Sequence, residues 1–142
     1  MTIRPKLQSA SRELSLAGRY RSIRAGTELL AAPLSPEDQN LQSMPDASPV
    51  KWHRAHATWF FETFLLKARD GYGVFDPRFE YLFNSYYEAV GPRHPRAERG
   101  LIARPTSDEV AEYRRHVDDA MQGLISAVGD EPKTAALIEL GL

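Results

Sequence analysis

Trp52-His-Arg-Ala-His-Ala-Thr-Trp-Phe-Phe-Glu62 constrains this chain more than any other stretch. At about 3.6 residues per turn, Trp52, His56 and Trp59 fall at i, i+4 and i+7 and form one stripe. The block is therefore predicted to be a helix whose apolar face carries His56, with Glu62 on a flanking position. An imidazole pointing into a helical bundle is a candidate metal ligand, because neutral histidine is the commonest metal-binding side chain. By itself, a histidine on an apolar stripe is more often a satisfied core residue.

Helical spacing recurs on both sides of this block. A first helix is predicted over residues 7–31, with Leu16, Tyr20, Ile23, Thr27 and Leu30 as its stripe. Pro33 and Pro36 end it, and Ser35-Pro-Glu-Asp reads as a short helix start with proline at the first position. Ser48-Pro49 opens the second helix, which ends near Asp70-Gly71. Thr106-Ser-Asp-Glu109 has the form of a capping box, and Val110, Tyr113, Val117, Met121 and Leu124 mark a third helix. Gly129-Asp-Glu-Pro breaks that helix, and a fourth begins at Lys133, with little of it before Leu142.

Residues 72–104 lie between the second and third helices and are rich in aromatics. One or two helical turns are expected from Phe79, and no regular element after Gly91, Pro92, Pro95 and Gly100. A long ordered loop in a compact domain is usually functional. Strand patterns are nearly absent. The reading is an all-α, single-domain four-helix bundle over residues 1–142, with a truncated fourth helix and a long loop between helices two and three.

Composition narrows the chemistry. Lys+Arg at 18 against Asp+Glu at 19 leaves a net charge of −1, which gives no electrostatic footprint for nucleic acid or a membrane surface. Without cysteine, any metal must be held by His, Asp or Glu. No stretch approaches the roughly 18 apolar residues of a membrane span, and the first residues lack an apolar leader core. A soluble, cytoplasmic protein is expected.

Two separated motifs carry a resemblance. The helical block is similar to Ser-Pro-x-x-Trp-x-x-x-His-x-x-x-x-x-Glu, the signature of the DinB-like domain that opens EgtB, the hercynine oxygenase of ergothioneine biosynthesis. Here it is matched by Ser48, Pro49, Trp52, His56 and Glu62. The loop resembles that family's His-Pro-Arg-x-x-Arg element at His94, Pro95, Arg96 and Arg99, and Leu82-Phe-Asn-Ser-Tyr-Tyr-Glu-Ala-Val90 is similar as well.

The resemblance implies a non-haem iron(II), oxygen-dependent oxidoreductase. Such an enzyme joins the sulfur of cysteine or γ-glutamylcysteine to hercynine as a sulfoxide. It implies His56 as one of three histidine ligands, Arg96 and Arg99 as anchors for carboxylates of the thiol, and Glu62 as a neighbour orienting a ligand. His53 falls on a variable position; it is a polar neighbour of the site or, alternatively, a partner that chelates with His56. His94 and His116 read as ordinary loop and helix residues.

The family continues with His-x-x-x-His-x-Glu and a second domain, neither of which lies in this sequence. The chain is accordingly read as the N-terminal part of a longer parent, inactive alone and without stably bound iron. The alternative is a stand-alone, non-catalytic DinB-like module that self-associates as a homodimer.

Overall fold

The computed structural model describes residues 15–85, 87–128 and 130–142. The predicted part of the first helix before Ser15 lies outside them. α1 (Leu16–Ala31) starts where the Ser15 hydroxyl accepts from Gly18 N at 3.1 Å, and the four-residue α2 (Pro36–Gln39) is capped the same way by Ser35. α3 (Val50–Phe61) follows Ser48-Pro49 as expected. It does not run on as a regular helix. Residues Glu62–Leu66 widen into a π-turn, with Lys67 N donating to Glu62 O at 2.8 Å. The helical segment ends at Leu66, short of the expected Asp70-Gly71, and Gly71, at φ 79°, takes the left-handed conformation in the turns that follow.

The crossover holds the short α4 (Phe79–Phe83) and, against expectation, a 3₁₀ helix at Arg96–Leu101. Gly100 permits that turn. A Cβ there would lie 2.9 Å from Gln42 Cβ, and Gln42 clips the turn by donating to Arg96 O (2.7 Å) and accepting from Gly100 N (2.8 Å). Buried Lys51 ties the next residues to α3 by donating to Ile102 O at 2.8 Å. α5 (Ser107–Val128) opens on the predicted capping box, with Glu109 N donating to Thr106 Oγ1 and Thr106 N to Glu109 Oε2. α6 (Pro132–Gly141) starts with proline at its first turn and inserts Ile138, fully buried, against α3 and the π-turn.

The molecule is all-α. Among the described residues there is no strand, and no helix is long and apolar enough to cross a membrane. α1, α3, α5 and α6 pack around Trp52, Trp59, Phe61, Leu66, Phe83, Val110, Tyr113, Val117 and Met121. The whole predicted stripe of α5 is buried. The stripe of α1 is rotated from its predicted position: Ile23 and Leu30 are exposed, and the buried face holds Tyr20, Arg24 and Ala31. Arg24 faces inward because it bonds Asp118 of α5 (2.7 Å) and Thr58 of α3 (2.7 Å). Side-chain chemistry on neighbouring helices outweighed the apolar pattern.

Candidate functional site

Helical spacing on α3 builds one wall of the site. Trp52 and His56 stack with ring centroids 4.6 Å apart and planes 12° from parallel, and His56 stacks on Trp59 at 5.6 Å and 17°. α4 pins two of these rings: Trp52 Nε1–H donates to Leu82 O (2.9 Å), and His56 Nδ1 lies 2.7 Å from Phe83 O. A carbonyl only accepts, so Nδ1 carries the proton and Nε2 is left as the acceptor of the ring. Burial holds His56 below the usual histidine pKa. The Phe83 bond opposes this, while Arg99 and His53 add to it. His53 is likewise lowered by desolvation, then by Arg99 and Arg96.

The crossover builds the other wall. Buried Asn84 shapes it by donating to Tyr87 O and Gly91 O and accepting from Tyr87 N, each at 3.2 Å. Arg93 Nη1 donates to Ser85 O (2.6 Å) and Arg99 Nη1 to Ser48 Oγ (2.8 Å). The Arg99 guanidinium carbon sits 3.6 Å from the Trp52 ring centre. Burial, then Arg96 and Arg93, bring the pKa of Arg99 down to about 10.

These walls enclose two adjoining cavities. One, of about 230 Å³, is bounded by Asp46, Ser48, Trp52, His53, His56, Ser85, Arg96 and Arg99. The other, of about 360 Å³, shares Ser85, Arg96 and Arg99 and adds Arg93 and Pro95. Three arginines face one carboxylate, so the lining favours an anion. A larger open groove of about 540 Å³ between α2 and the 3₁₀ helix has Glu37 and Glu98 on its walls and no Arg, Lys or His.

His53, His56, Arg96 and Arg99 therefore meet at one place. Glu62 does not join them. Its carboxylate accepts from Tyr72 OH (2.6 Å), Phe75 N (3.0 Å) and Tyr113 OH (2.6 Å), joining the π-turn to the crossover and α5. It orients no imidazole; the Phe83 carbonyl holds His56 instead. His94 packs edge-on to Tyr81, and His116 bonds Gly73 O at 2.9 Å; neither lines these cavities. Ser85 and Asp46 were not singled out from the sequence, whereas Arg93 begins the three-residue arginine repeat that the sequence shows continuing through Arg96 and Arg99.

A three-histidine iron centre does not fit these residues. His56 is the one imidazole at a matched position, and no three His, Asp or Glu side chains gather as metal ligands among the described residues. No curated protein matches the chain. The DinB superfamily model matches residues 19–139, which runs from the first turn of α1 through most of α6 and covers both walls of the site. The chain belongs to the DinB superfamily.

Proposed function

We propose that this bundle is the substrate-anchoring domain of an EgtB-like sulfoxide synthase, and that its paired cavities hold carboxylates of cysteine or γ-glutamylcysteine for joining to hercynine. One observation carries the reading. Two motifs far apart in sequence place His53, His56, Arg96 and Arg99 around a single cavity. Guanidinium groups suit carboxylates because their planar donors match two acceptor oxygens, and the match is stronger away from bulk water.

The chain's own share of the chemistry is binding and orientation. Arg96 and Arg99 receive the carboxylate, and Ser48 and the Ser85 carbonyl steady Arg99 and Arg93. His56, whose pKa burial lowers and whose Nδ1 is taken by Phe83 O, offers Nε2 as its free acceptor. The iron(II) of the EgtB-like enzyme would need ligands beyond those gathered here, so the 142-residue chain alone should retain no iron and turn nothing over.

Calorimetric titration of the chain with γ-glutamylcysteine tests the reading. Arg96→Ala and Arg99→Ala should each weaken binding by about tenfold to a hundredfold, the loss of one charge-assisted hydrogen bond. Equal affinity in both variants and the parent chain would overturn it.

A further inference from the structure

We propose that Trp52 is a positioning residue for this pocket: its indole holds the Arg99 guanidinium in the single orientation that meets the anion. The inference rests on the carboxylate reading above. Arg99 is only 3% exposed, yet it borders both cavities. Its Nη1 donates to Ser48, and its buried Nε has no hydrogen-bond partner. Among the described residues no carboxylate forms an ion pair with it, while Arg96 and Arg93 lower its pKa by repulsion. The contact that remains to hold so desolvated a cation is the Trp52 ring, 3.6 Å from Cζ. Cation–π attraction is strongest in such a setting.

Trp52 is itself fixed. Its Nε1–H donates to Leu82 O, and its ring stacks on His56, whose Nδ1 is held by Phe83 O. Ser48 stands four residues before Trp52, so hydroxyl and indole reach the same guanidinium from one end of α3. Order thus passes from the α4 carbonyls to the indole, and from the indole to the cation. A merely space-filling Trp52 would leave Arg99 free to rotate away from the cavity.

The test uses the ¹⁵N-labelled full chain and γ-glutamylcysteine as the probe. The Arg99 Nε–H signal, assigned by its loss in Arg99→Lys, should be displaced upfield by the indole ring current. Trp52→Phe keeps a π face and should bind within about threefold of the parent, whereas Trp52→Leu should lose about tenfold. Arg99→Lys should fall with Trp52→Leu, since an ammonium has no plane to stack. The decisive measurement is the cycle. Trp52→Leu should add almost nothing in an Arg99→Ala background, because its effect runs through Arg99.

An equal loss in both backgrounds, or an Arg99 signal without ring-current displacement, overturns the proposal. If Trp52→Leu does not fold, that signal and Trp52→Phe decide. Unchanged binding in both Arg96→Ala and Arg99→Ala overturns the carboxylate reading itself. Loss in Arg99→Ala without loss in Trp52→Leu overturns the clamp alone.

Discussion

Arg24, Arg54 and Arg114 lie between α1, α3 and α5, and Arg93, Arg96 and Arg99 lie on the crossover that precedes α5. The first trio is closed by acids. Arg24 pairs with Asp118, and both Arg54 and Arg114 pair with Glu28, while Thr58, Gln39 and two backbone carbonyls take further donors. Glu28 lies below the usual carboxylate pKa: burial opposes this, but the Arg54 bond and the charges of Arg114, Arg54 and Arg24 prevail. The second trio differs. Arg93 donates to a carbonyl and Arg99 to a hydroxyl, and Arg96 and Arg93 repel Arg99. Burial brings Arg99 and Arg114 alike to about pKa 10, so desolvation does not separate the clusters. What separates Arg114 from Arg99 is that Glu28 supplies the first with a counter-charge, whereas among the described residues no carboxylate pairs with the second. Arg114 joins helices; Arg99 borders a cavity.

The sharpest way to break this comparison is to remove an arginine from each trio and measure both stability and binding. Arg114→Met should destabilise the fold by about 1–3 kcal/mol in urea unfolding, since it removes a buried guanidinium that bonds two backbone carbonyls and pairs with the half-exposed Glu28. Its binding of γ-glutamylcysteine, measured where it remains folded, should be unchanged. Arg99→Ala should do the reverse, losing about tenfold to a hundredfold in affinity with under about 1 kcal/mol of stability. Comparable destabilisation by both variants would mean that the crossover trio is structural after all.

Acid separates the trios next. His53 and His56 have lowered pKa values in the fold, so the unfolded chain binds their protons first. Stability should then fall as pH drops below about 6.5, the unfolded histidine value. The depressed pKa of Glu28 acts only lower, with its contribution lost as pH falls through the carboxylate range. A bound carboxylate favours protonated imidazole, so affinity for γ-glutamylcysteine should rise from pH 8 to pH 6, by up to about tenfold per unit of pKa change. An affinity flat across that window would place both imidazoles outside the influence of the anion.

Salt should give the smallest effect. Raising ionic strength to about 0.5 M shortens the screening length to a few ångströms and should weaken binding several-fold. The stability difference between the parent and Arg114→Met should move less, because the Arg114 guanidinium is buried and bonded to backbone carbonyls that salt does not screen. Salt-insensitive binding would argue against charge as its source.

Periodicity and punctuation made much of this molecule legible. The α5 stripe, its capping box and the Ser35 and Ser48-Pro49 starts depend on residues within a few positions of one another, where local geometry decides. The site was half legible for a different reason. His56, Arg96 and Arg99 came from motif resemblance, which names residues without placing them. Glu62 stands apart from these residues because its partners Tyr72, Phe75 and Tyr113 come from segments that only folding brings near it. The α1 face was misread because periodicity assumes that apolar residues are the ones buried. Arg24 is inside since Asp118 and Thr58 are there to meet it.

The sequence by itself determined that this is an all-α chain and where α3 and α5 begin, and it named the residues of two separate motifs. Only the tertiary structure decided which arginines are consumed within the fold and which face a cavity. A guanidinium carries the same charge and donors wherever it sits, and its role is set by the acid, carbonyl or aromatic ring that the other segments bring against it.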